Sequence, residues 1–166
     1  MSDPKSGVSI EPGRWPLGAD DVSGMIERGE LELVQASPDH AGLLISQAEG
    51  HLQAAAPLTE VHPSSAYNLL YDAARLALTA ALAKQGLRPT RAGGHLAVQE
   101  AVEAQLGPNV RHVIRAFRML RRRRNDNEYP SLDTLPITAE EAEDSLQDAR
   151  DIVDIMRKLL PRLGPW

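Results

Sequence analysis

The sequence contains no cysteine, which removes disulfides, thiol chemistry and thiolate-bound zinc together. Aromatic residues are almost as scarce: one Phe, three Tyr and two Trp among 166 residues. Sheets draw on aromatic and β-branched side chains. Their scarcity here, beside 42 % apolar residues that are mostly Ala, Leu, Ile and Val, favours packed helices. No apolar run approaches the roughly 18 residues that a membrane span needs, so no membrane association is expected. The first residues, Met1 to Gly7, lack the apolar core of a signal peptide, and the cytoplasm is the expected location.

Metal and cofactor motifs are missing as well. The five histidines, His40, His51, His62, His95 and His112, follow no ligand spacing such as His-Glu-x-x-His, so no metal site is expected. Gly93-Gly94 is not followed by Lys-Ser or Lys-Thr and is no phosphate-binding P-loop. There is no Gly-x-Ser-x-Gly nucleophile motif, and no cofactor is expected. The acidic pairs Asp20-Asp21 and Glu140-Glu141 each fit a helix N-terminus rather than a carboxylate dyad.

What is present is a set of helical patterns broken by glycine and proline. Residues 1–19, with Pro4, Pro12, Pro16, Gly7, Gly13 and Gly18, read as an irregular arm that Trp15 anchors to a domain over 20–166. Asp20 or Asp21 is placed to cap a short helix through Val22, Met25 and Ile26, ending at Gly29. Ser37-Pro38 opens a helix to about Ala55, where His51 reads as a packed, hydrogen-bonded histidine. An Ala-rich helix follows from about Ser64 to Gln85, with Asp72 and Arg75 off its inner face as a modest surface ion pair. Leu87 to Gly94 reads as a loop, and His95 to Leu106 as a shorter helix. Thr138 and Glu141 form a capping box at the head of the last long helix. The expected fold is all-α: a single-domain antiparallel bundle of four long helices plus one or two short ones.

One stretch stands apart. Net charge is −5, which argues against wholesale nonspecific nucleic-acid binding, yet Arg111, Arg115, Arg118 and Arg121 to Arg124 gather within one segment. Little aromatic material is interleaved with them, so no base-stacking platform is evident. At about 100° per residue, Val110, Val113, Ile114, Phe117 and Leu120 share one helical face. The same face continues through Arg121, Arg124, Asn125 and Glu128, while Arg122 and Arg123 point elsewhere and read as solvated. The helix is expected to stop at Tyr129, before Pro130. A core-facing stripe that turns charged without changing direction is either a basic helix end complementing the dipole or a polar pocket with Arg124 inside it.

The order of elements resembles the HEPN (higher eukaryotes and prokaryotes nucleotide-binding) superfamily over roughly residues 37–160. The resemblance is carried by the Ala-rich helix from Ala66 to Arg75, by Gly86-Leu87-Arg88-Pro89, by Gly94-His95, and above all by Arg124-Asn125-Asp126-Asn127-Glu128-Tyr129. It implies a metal-independent ribonuclease, usually a homodimer, in which an arginine binds the scissile phosphate and a histidine four to six residues later moves the proton. Arg124 and Asn125 match the first two positions of that motif. Tyr129 stands where the histidine is expected, and no histidine follows His112. A phenol of ordinary pKa near 10 is a poor general base at neutral pH.

Three functions therefore stay open. The first is a ribonuclease toxin with Arg124 and Tyr129 as catalytic residues. The second is a non-catalytic RNA- or nucleotide-binding protein of a toxin–antitoxin or defence system, with Arg121, Asn125, Glu128 and His95 as binding residues and a nucleotidyltransferase as an implied partner. The third is a structural interaction bundle in which Arg124, Asn125 and Glu128 form a buried polar network, with Arg124, Glu128 and the nearby Asp126 satisfying one another.

Overall fold

Seven α-helices and one two-stranded ribbon make up residues 15–166, the part of the chain that the computed structural model describes. The helices are α1 (Ala19–Glu27), α2 (Pro38–Ala55), α3 (Leu58–Val61), α4 (Pro63–Gln85), α5 (Gly94–Leu106), α6 (Arg111–Glu128) and α7 (Ala139–Leu159). The four long ones, α2, α4, α6 and α7, lie where the periodicity places them, and α3 is a short helix in what reads as a plain connection. Most of the expected arm, residues 1–14, lies outside the described residues. The indole Nε1 of Trp15 donates to the Gln105 carbonyl at 2.6 Å.

The hub is α4 rather than the arginine-bearing helix. It packs against α2, α3, α5, α6 and α7. Ala66, Ala73, Ala74, Ala77 and Ala80 are wholly buried, and so are Leu70, Leu78 and Leu82. Burial extends around most of the helix instead of one stripe. Alanine on successive faces lets several neighbours approach at once, which a single amphipathic stripe would not allow.

Two local expectations give way. Leu31–Leu33 (β1) pairs antiparallel with Leu87–Pro89 (β2), where a loop reads in the sequence. These strands have three residues each and lie far apart in the chain, so neither alternation nor a hairpin turn announces them. Gly86 makes the approach possible: its φ is +78°, and a Cβ there would sit 2.6 Å from the Val34 carbonyl oxygen. At α1 the cap is Gly18, with φ +73°, and neither Asp20 nor Asp21; both carboxylates lie in the first turn, where they favour the positive helix end.

The Thr138 cap is formed, with Oγ1 accepting from the Glu141 amide at 3.1 Å. The reciprocal half of the box is missing among the described residues because the Glu141 carboxylate is held by Arg123. His51 is half-buried, but its Nδ1 has no hydrogen-bond partner among the described residues. Deep polar packing lies elsewhere: the amides of Gln85 and Gln105, both buried, bond to each other through two hydrogen bonds of 2.5 and 3.0 Å. No described helix is long and apolar enough to cross a membrane.

Candidate functional site

The apolar stripe of α6 is buried as its spacing requires, with Val113, Ile114, Phe117 and Leu120 in the core. One turn further on, the stripe meets a buried tyrosine from α4. Tyr71 stacks on Phe117 at a centroid distance of 5.7 Å, and the Arg124 guanidinium lies over the Tyr71 ring, 5.3 Å from its centroid. That cation–π contact contributes about 0.5–2 kcal/mol and fixes which way Arg124 leans. Arg124 also pairs with Glu128, one turn along, and its side chain is 25 % exposed.

The phenol of Tyr71 reaches α5, where its hydroxyl meets His95 Nδ1 at 2.8 Å. Arg121 donates from Nε to Gln99 Oε1 at 3.2 Å, one turn beyond His95. On α4, Arg75 lies 3.6 Å from Asp72, and its Nε is buried with no acceptor among the described residues. Three guanidinium groups thus surround one tyrosine–histidine pair. The electrostatics record the crowding. Partial burial, followed by the charges of Arg75 and Arg124, pushes the His95 imidazole below its ordinary value; Asp72 opposes this and Arg121 adds to it. Burial raises the Tyr71 phenol, against the opposing pull of Arg75, Arg124 and Arg121.

The end of α6 is fixed by a further residue. Asn127 Nδ2 donates to Asn68 Oδ1 at 3.2 Å, and Ser64 Oγ donates to Asn127 Oδ1 at 2.8 Å. These bonds tie the last turn of α6 to the first turns of α4 and so hold Arg124 against Tyr71.

Of the residues singled out in the sequence, Arg121, Arg124, Glu128 and His95 come together. Asn125 and Tyr129 do not join them. Asn125 is exposed, about a quarter-turn around the helix from Arg124. Tyr129 lies just past the end of α6 and is 77 % exposed, and no hydrogen bond or ring contact joins it to Arg124 among the described residues. The cluster is a half-exposed surface site and not an enclosed pocket. Arg122 is exposed as expected, whereas Arg123 is not solvated: it binds Glu141 through Nε at 2.6 Å and Nη2 at 3.2 Å, and donates from Nη2 to the Leu135 carbonyl.

Sequence reading misses Tyr71 and undervalues Asp72 and Arg75. A usable signal is Tyr71-x-x-x-Arg75, a polar tip and a cation at i, i+4 inside an otherwise Ala-rich helix. On another face of α6, a groove of about 510 Å³ is floored by Tyr67, Ala116 and Leu120. It is edged by Asp126, Glu140, Asp144 and Asp148 together with Arg122 and the Glu141-paired Arg123, so carboxylates outnumber guanidiniums around it. Among the described residues no group of three or more His, Asp or Glu is placed to hold a metal ion.

The arginine cluster is suited to a planar or tetrahedral oxyanion, because guanidinium donors pair with carboxylate and phosphate oxygens in a fixed fork. No curated protein and no solved structure matches this chain significantly. The HEPN domain family matches residues 41–159, more than half the chain, from the first turn of α2 to the end of α7. The chain belongs to the HEPN domain family, a family associated with ribonuclease toxins and defence systems.

Proposed function

We propose that this protein binds RNA or a nucleotide through phosphate at Arg124, Arg121 and Arg75, as a non-catalytic member of a toxin–antitoxin or defence system. One observation carries the reading: three guanidinium groups converge on the Tyr71–His95 pair, and the buried Arg75 Nε there has no acceptor among the described residues. A buried donor without an acceptor costs about 1–3 kcal/mol, which a bound phosphate oxygen would relieve. Tyr129, largely exposed and without a bond to Arg124 among the described residues, contributes at most to the rim of the site.

The test is binding of a short oligouridylate, followed by fluorescence anisotropy at fixed salt. Arg124→Ala should weaken binding about 10- to 100-fold, the loss of one charge-assisted pair, and Arg122→Ala should weaken it far less. Equal losses would reduce the site to diffuse surface charge. A homodimer that sets two such sites side by side, and a nucleotidyltransferase partner, belong to the same proposal. Light scattering at high protein concentration tests the first, and co-purification with a co-expressed nucleotidyltransferase the second.

A second reading, the ribonuclease, has one observation in its favour: α5 supplies through His95 an imidazole that the end of α6 lacks. Incubation with mixed RNA in EDTA should then yield 2′,3′-cyclic phosphate ends, lost in Arg124→Ala. Cleavage that persists in the variant would mark a contaminant.

A further inference from the structure

We infer that His95 is a proton-switched ligand of the arginine site, meeting a bound phosphodiester as imidazolium, so that binding takes up a proton. This rests on the reading of the cluster as a phosphate site and says how that site is regulated.

The geometry supplies each part. His95 is partly exposed, yet its Nδ1 is fixed 2.8 Å from the Tyr71 hydroxyl, which leaves Nε2 as the ring nitrogen without a partner among the described residues. Facing it from α4 are Tyr71, Asp72 and Arg75. From α6 come Arg121 and Arg124, the latter paired with Glu128, and on α5 itself the neighbour one turn along is the neutral Gln99. Three guanidinium charges against the carboxylates of Asp72 and Glu128 leave the imidazole in a positive field. That field and partial burial both push the imidazole below its ordinary value.

A phosphodiester among the same guanidiniums offsets one of those charges and places its own beside the imidazole. An imidazolium then gains a partner for each ring proton: the Tyr71 oxygen for Nδ1–H and a phosphate oxygen for Nε2–H. Tyr71 permits both states because a hydroxyl donates to a bare Nδ1 and, after rotation, accepts from a protonated one. The buried tyrosine ring, held by its stack on Phe117 and by the Arg124 guanidinium over it, keeps that hydroxyl in place through the change.

Linkage fixes the sign. Free His95 titrates below its ordinary 6.5, and bound His95 must titrate higher. Affinity therefore rises as pH falls through the bound value and levels off below the free one.

The experiment is calorimetric titration of the full chain with the dinucleoside monophosphate UpU, from about pH 8 to about pH 5.5, in buffers of differing ionisation enthalpy. UpU keeps a single negative charge over that range, so any pH dependence belongs to the protein. Wild type should bind several-fold more tightly at the acid end and take up as much as one proton. His95→Gln should still bind, with an affinity that does not vary with pH and with no proton uptake. Wild-type binding that is equally tight across the range, or a His95→Gln protein that keeps the pH dependence, would overturn the role of His95 while leaving the phosphate site intact. Absent binding by wild type, or binding unaffected by Arg124→Ala, would overturn the site itself.

Discussion

Tyr71 concentrates three interactions on one side chain: the stack on Phe117, the Arg124 guanidinium over its ring, and the bond to His95. The first two need only the ring and the third only the oxygen, so they separate by mutation. Tyr71→Phe should lower stability by about 1 kcal/mol, a typical hydrogen bond, whereas Tyr71→Ala should lower it by about 3–5 kcal/mol through the cavity left behind. Urea unfolding of both variants measures the difference. Tyr67, one turn earlier on α4, offers a pH test. Burial pushes its phenol up to about 12, against an ordinary value of 10. An unfolded chain ionises this group first, so the stability it contributes is complete below pH 10 and is lost as pH rises through about 12. Tyr67→Phe should lose less stability than wild type between these limits in urea unfolding. At this scale the α6 face was legible: a strict periodicity places Arg121 and Arg124 beside Phe117. The partners of Arg123 and Arg124 on other helices were not, because no local spacing relates position 123 to 141 or 124 to 71.

Among the elements, the long helices could be read from the sequence and the ribbon could not. Helix ends carry local chemistry, such as the Ser37-Pro38 start and the Gly86 stop. A pairing of three residues with three, more than fifty positions apart, carries none. Gly86 belongs to both: it ends α4 with φ +78° and lets β2 approach Val34. Gly86→Ala should therefore cost about 2 kcal/mol or more, combining a left-handed backbone with a contact closer than any side chain tolerates. The drop in melting temperature should exceed that of Gly42→Ala, where the added Cβ meets nothing within 4 Å. The tie between α6 and α7 is weaker. Arg123→Ala removes a two-pronged, partly exposed pair with Glu141 and should lower stability by about 1 kcal/mol, with no parallel loss of phosphate binding.

For the whole molecule, charge is divided by face. The net charge of −5 coexists with a cationic cluster where α4, α5 and α6 meet, while the groove on another face of α6 is rimmed with carboxylates. The bundle could be read from composition and periodicity, since few aromatics and many alanines leave helices as the economical way to bury a core. The hub could not, because a helix buried on most sides loses the single-face signature that makes amphipathic helices visible. The proposed phosphate recognition rests on the placement of Arg75, Arg121 and Arg124 around Tyr71, in a family associated with ribonuclease toxins and defence systems. The direct measurement follows the arginine Nε–Hε resonances while UpU is titrated into the protein. A phosphate site at this junction requires that Arg75, Arg121 and Arg124 shift together and saturate, with Arg122 and Arg123 unmoved. Shifts spread evenly over Arg111, Arg115, Arg118 and Arg122, with Arg75 and Arg124 still, would contradict it.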